Sequence, residues 1–274
     1  MAELRNIRWI KFIKSLLEKD SLYPLFRSKS LQWWLTIGLR KNGFMLLDEG
    51  DMEGLVFEYN GIKYVPDLVN YPRIFEAPKR YRLEALKPHY KVLDIGSNIG
   101  SYSLPSSKVC SKVFSFEPMF TEGLLRNKEL NNFGNLHIEN LALGDGSVIS
   151  VDCQEYVSSS KSKSFGNILD MVGDIDVLRL DAGGWEWSIN PEVLRNIKVL
   201  EVEFHFWDGK GDWGSWRKLL EEEGFGYTAR WSKHKHWLYL SAEKGWAGGL
   251  GEVKLRDGSF IGGSLGLWKG QKQA

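Results

Sequence analysis

Asp94, Gly96, Asn98 and Gly100 follow one another in the order D-x-G-x-N-x-G inside the stretch Lys91–Tyr102, KVLDIGSNIGSY. The apolar residues Val92, Leu93 and Ile95 around Asp94 have the length of a buried strand, and the glycines and Asn98 give the backbone freedom to turn tightly into a helix. A strand, a glycine loop and a helix start in that order form a device for holding a small ligand. Further polar residues stand where strands are predicted to end: Glu117 in VFSFEP, Asp181 with Glu186 in DVLRLDAGGWEW, and Glu203 with His205 in VEFH. In an open parallel sheet ligands gather outside the carboxyl ends of the strands, so these side chains are predicted to converge on one edge.

Charge narrows the ligand. A dinucleotide loop brings a pyrophosphate against bare backbone N–H groups, where a carboxylate repels it. The acid of this loop, Asp94, suits a ligand with positive charge and hydroxyls, and S-adenosylmethionine carries an ammonium, a sulfonium and a ribose. A methyl donor is therefore preferred to a nicotinamide. Glu117 lies about 20 residues beyond the loop, the distance at which an acid meets ribose hydroxyls in such sheets. Leu141, Ala142 and Leu143 suit either an apolar slot for the adenine or the core of a third strand.

Methyl transfer to a hydroxyl needs in-line approach, dry surroundings and a base. Asp181, Glu186 and His205 are the candidates for the base. Glu203 and His205 are two apart and share one face of a strand. They make half of a metal site with no third ligand evident, so no metal is expected. His234 and His236, between Lys233 and Lys235, read as a polar hairpin turn.

The elements that must position these groups alternate strand with helix. Strands are expected at 113–116, 136–143, 175–180 and 199–204, with a small extra strand at 148–151. Helices are expected at 79–86, 121–131 and 215–223, with another starting at Asn190-Pro191. The run 158–164 reads as a solvated loop. Strands at 227–231 and 237–240 are joined too closely for a crossover helix and should be antiparallel. Asn60-Gly61 predicts a hairpin between 55–59 and 62–65, and Asp257-Gly258 a second one between 253–256 and 259–261. Two helices are predicted nearer the N-terminus. Residues 3–19 form a basic amphipathic one, which packs on the protein or a partner, with membrane-surface contact as the alternative. The other spans 31–40.

In order along the chain, KVLDIGSNIGSYSL, VFSFEP, ENLALGD and DVLRLDAGGWEW resemble successive signatures of the FkbM family of S-adenosylmethionine-dependent methyltransferases, over roughly residues 83 to 206. The resemblance implies an α/β class I methyltransferase, a Rossmann-like, mostly parallel seven-stranded sheet with helices on both faces. It also implies methyl transfer to a hydroxyl of a sugar, glycan or natural product. Carried over, Asp94, Gly96, Asn98 and Gly100 hold the methionine end of the donor and Glu117 its ribose, Ala142 and Leu143 lie by the adenine, and Asp181 faces the reaction centre. This chain has Gly183 where the family usually places an acid, and Arg179 where lysine is usual.

The division expected is an N-terminal helical and hairpin extension over 1–82, a donor-binding domain over 83–242, and a glycine-rich hairpin tail over 243–274. A formal charge of +1 does not call for nucleic acid. DNA is not expected, and RNA, through Lys161, Lys163 and the N-terminal helix, is the less favoured acceptor. A non-catalytic donor-binding module is the remaining alternative. Only Cys110 and Cys153 are present, which make neither a zinc cluster nor a disulfide scaffold and point to a reducing, cytoplasmic setting. Twelve tryptophans lie mostly beyond residue 184. Those at 185, 187, 207, 213 and 216 are predicted to line an acceptor site.

Overall fold

The computed structural model describes residues 45–48, 56–65, 80–153, 156–206, 211–231, 237–246, 252–254 and 260–261. The helices expected at 3–19 and 31–40, the turn holding His234 and His236, and Trp207 lie outside them.

The first described elements form an antiparallel sheet of β1 (Met45–Asp48), β2 (Val56–Tyr59) and β3 (Ile62–Tyr64), in which the tight turn between β2 and β3 places Asn60 and Gly61 at φ 54° and 70° as the Asn-Gly signal requires. The main sheet begins at β4 (Lys91–Ile95), followed by α1 (Ser103–Val109), β5 (Lys112–Phe116), α2 (Thr121–Asn131) and β6 (Leu136–Glu139). A side sheet of β7 (Ala142–Leu143), β8 (Val148–Cys153) and β9 (Tyr156–Lys163) precedes α3 (Phe165–Val172). The chain then returns to the main sheet as β10 (Val177–Leu180), β11 (Val199–His205), α4 (Trp213–Glu222), β12 (Phe225–Trp231) and β13 (Trp237–Lys244).

Seven strands lie in the order β6-β5-β4-β10-β11-β13-β12, with β13 alone antiparallel to its neighbours. This is the expected mostly parallel seven-stranded sheet. The tail adds β14 (Glu252–Lys254), parallel to β12, and β15 (Phe260–Ile261), antiparallel to β14. Building proceeds outward from β4 through β5 to β6, then resumes on the other side of β4 at β10. The order reverses between β4 and β10, the place in such a sheet where ligands gather outside the carboxyl ends of the strands.

Strand alternation sorts the core into two layers. Leu93, Ile95, Leu178, Leu180, Leu200, Val202 and Phe204 face α3 and α4, packing with Ile168, Trp216 and Leu219. Val92, Val113, Val177 and Val199 face α1 and α2, packing with Leu104, Leu124 and the hairpin residues Phe57, Ile62 and Tyr64. On this second face the register sets Ser115, Asp94, Arg179, Glu201 and Ser241 side by side, a buried polar row across five strands. Burial pushes the Glu201 carboxyl up to about 8, against hydrogen bonds from Ser241 and the Arg82 N–H.

Four expected elements differ. Of the helix predicted at 79–86, Arg80 is helical and residues 81–86 form a single 3-10 turn, Leu83–Ala85, because that segment lies against the sheet and spends the Arg82 N–H on Glu201. The strand predicted over 136–143 divides at Asn140-Leu141 into β6 and β7, which belong to different sheets. The helix predicted from Pro191 is a 3-10 turn, Pro191–Leu194, with Asn190 capping it as expected. The solvated loop predicted at 158–164 is mostly β9, paired with β8 and burying the small side chains of Ser160 and Ser162.

Candidate active site

The loop after β4 is shaped by close contacts. Gly96 has φ 77°, and a Cβ there would lie 1.9 Å from the Asp181 carbonyl oxygen at the end of β10. Asn98 is left-handed at φ 54°, and a Cβ on Gly100 would strike Leu124 and Leu104 at 2.6 and 2.8 Å. Glu117, at the tip of β5, accepts from the Asn98 N–H at 2.6 Å and from the Met119 and Phe120 N–H groups at 2.8 and 3.1 Å. Its carboxylate ties the glycine loop to the start of α2. Burial raises its pKa against those three donors.

Asp94 does not face outward to a cationic ligand. It is fully buried, accepts from Ser103 Oγ at 2.5 Å, and pairs with Arg179 Nη1 at 3.2 Å. Burial pushes its carboxyl up, opposed by the guanidinium and by Ser103. Arg179 is the hub that sequence reasoning passed over as a departure from a pattern. Its guanidinium donates to Asp94, to the Gly96 carbonyl, to Tyr81 Oη at 3.0 Å and to Asp181 Oδ2 at 2.8 Å. A signal for it existed: a charged residue inside the buried run Val177–Leu180 must meet opposite charge.

Asp181, Glu186 and His205 are brought together as expected. Glu186 is fully buried and folds the loop after β10 by accepting from the Ala182 and Gly184 N–H groups at 2.6 and 2.8 Å. The same carboxylate meets His205 Nδ1 at 3.0 Å. His205 Nε2 then lies 3.8 Å from Asp181 Oδ1 and 3.8 Å from Glu203 Oε1. Asp181, Glu186 and His205 form a metal-capable group, their ligand atoms within 4.8 Å of one another, where the sequence paired Glu203 with His205 and offered no third ligand. Glu203 pairs with Arg80 at 3.2 Å. Burial disfavours a charge on His205, but Glu186, Asp181 and Glu203 outweigh it and raise the imidazole to about 9. Burial, then Asp181, push Glu203 up to about 7. A cation is welcome at this centre.

Ala142 and Leu143 are buried in β7, beside β9, and Leu143 belongs to the core. The tryptophans divide. Trp216 is core, Trp187 stacks on Phe204 at 4.7 Å and donates to the His205 carbonyl at 2.6 Å, and Trp213 meets the edge of Phe204 at 5.7 Å. They wall the site from behind. A side chain at Gly183 would enter open space, at φ 60°.

No family profile and no curated protein matches the chain. Solved structures similar in chain course include Trm5b from Pyrococcus abyssi, at 13% identity over 72% of this chain, TM-score 0.44. The match spans 57% of Trm5b. M. jannaschii TYW2, solved in complex with AdoMet, is 12% identical over 72% of this chain and 87% of its own, TM-score 0.43. A precorrin-6y C5,15-methyltransferase from Geobacter metallireducens is 18% identical over 59% and 83%, TM-score 0.37.

Proposed function

We propose that this protein is an S-adenosylmethionine-dependent O-methyltransferase of the FkbM type acting on a hydroxyl of a sugar, glycan or small natural product. The observation that carries the proposal is the placement of the D-x-G-x-N-x-G loop and the Asp181, Glu186 and His205 cluster at the carboxyl ends of the neighbouring strands β4, β10 and β11, where the strand order reverses. The site fits the donor in a second respect. Ser97 Oγ, in the glycine loop, is buried without a hydrogen-bond partner among the described residues, as expected of a group that faces a ligand.

S-adenosylmethionine supplies an electrophilic methyl group when bound. Gly96, Ser97, Asn98 and Gly100 would hold its methionine end, Glu117 its ribose, and Ala142 and Leu143 the side nearest the adenine. Asp94 acts through the loop that it and Arg179 brace. Asp181 and His205 would orient the acceptor hydroxyl and receive its proton, with Glu186 holding His205 by Nδ1.

Calorimetry with S-adenosylmethionine, S-adenosylhomocysteine and NAD tests the reading. Saturable binding of the first two and none of the third is expected. Glu117→Gln should weaken the donor about tenfold, the ~1.4 kcal/mol of one charged hydrogen bond. Binding of NAD alone would overturn the assignment. Label transfer from the methyl donor to hydroxyl acceptors, with an RNA arm, then identifies the acceptor class.

A further inference from the structure

Three side chains on the ends of β10 and β11 converge, and each is held from behind. Glu186 meets His205 at Nδ1, Arg179 grips Asp181 at Oδ2, and Arg80 grips Glu203 at Oε2. On the other side, Asp181 Oδ1 and Glu203 Oε1 each lie 3.8 Å from His205 Nε2. An outer partner for every inner group is the arrangement that orients metal ligands. An ion about 2.1 Å from two donors spans about 3.0 Å when they are cis and about 4.2 Å when they are opposed, so separations of 3.8 Å need little adjustment.

We infer that Asp181, Glu203 and His205 bind one divalent transition-row cation, of the Mn²⁺ or Zn²⁺ class. Two carboxylates and an imidazole suit such ions better than an all-oxygen cage for Ca²⁺ or Mg²⁺. Charge agrees with this. Asp181 and Glu203 set two carboxylates beside the imidazole, each held on its far side by one guanidinium, Arg179 or Arg80. In the methyltransferase reading, on which its role rests, the ion would polarise the acceptor hydroxyl.

The test needs neither donor nor acceptor. The full chain, freed of metal with a chelator, is titrated with Mn²⁺ while the electron paramagnetic resonance signal of free Mn²⁺ is followed, and with Zn²⁺ by calorimetry. One saturable site per chain is expected, weakened at least tenfold in Asp181→Asn, Glu203→Gln and His205→Gln and unchanged in the distant Asp176→Asn. For the wild-type chain, added Mn²⁺ should raise the melting temperature and a chelator should reverse it, a readout that does not depend on any variant folding. Absence of saturable binding, or equal binding by all three site variants, would overturn the inference. A chain that binds S-adenosylmethionine but no metal removes the cation site alone. One that binds metal but not the donor keeps the site and removes the methyltransferase reading.

Discussion

Asp94 carries its carboxyl where water does not reach, and its neighbour Arg179 is almost as deeply placed. Removing one partner of such a pair leaves the other buried and uncompensated, which typically costs about 3–5 kcal/mol. Asp94→Ala should therefore lower unfolding stability by about that much in urea titrations. An unchanged midpoint would mean that the guanidinium does not depend on this acid. Loss of donor binding in that variant follows from a collapsed loop as readily as from a lost contact. The motif around Asp94 was legible because spacing and glycine content are local. Its cation was not, since Arg179 lies 85 residues away and only sheet register makes the two adjacent. Asp181 was expected beside His205 as a candidate base, but not as a third ligand-type group beside Glu203 and His205, since it stands at the end of a different strand.

The hairpin of β2 and β3 depends on two side chains of α2. Asn127 accepts from the Val65 N–H at 2.7 Å and donates to the Ile99 carbonyl at 3.0 Å. Asn131 brackets Lys63, accepting from its N–H at 2.8 Å and donating to its carbonyl at 2.7 Å, much as a neighbouring strand would. Asn127→Ala leaves a buried N–H and a buried carbonyl without partners, and the Val65 amide should exchange its hydrogen at least tenfold faster, about 1.4 kcal/mol of local protection. Exchange at Val65 no faster than in the wild type would show that packing of Phe57, Ile62 and Tyr64 alone retains the hairpin. Elements with strong local chemistry were readable from sequence: the Asn60-Gly61 turn, the antiparallel closing pair, and α2. The stretch at 79–86 has helical composition but meets the sheet edge, and β9 has loop composition but meets β8. In both, tertiary pairing overrides local preference.

Across the whole molecule the two edges of the main sheet use acids differently. At the amino edge Asp176 binds the starts of three strands together. Its carboxylate accepts from the Lys91 N–H at 2.9 Å and from Lys198 Nζ at 2.6 Å, while its carbonyl accepts from the Lys198 and Val199 N–H groups. Burial opposes ionisation of Asp176, but Lys198 and the Lys91 N–H prevail and its pKa is lowered. A lowered carboxyl contributes stability above its unfolded value, about 3.9, and loses it as pH falls through the folded value. Asp176→Asn should thus be less stable than the wild type by about 1 kcal/mol at pH 7, with the gap closing below about pH 4 in parallel urea titrations. A gap that persists in acid would assign the effect to shape instead of charge. At the carboxyl edge the acids already have Arg179 among them. Any positively charged guest arriving there competes with a tethered guanidinium, not with solvent alone. Recognition at this edge is a sharing of the same acids between the guest and a guanidinium that can never diffuse away.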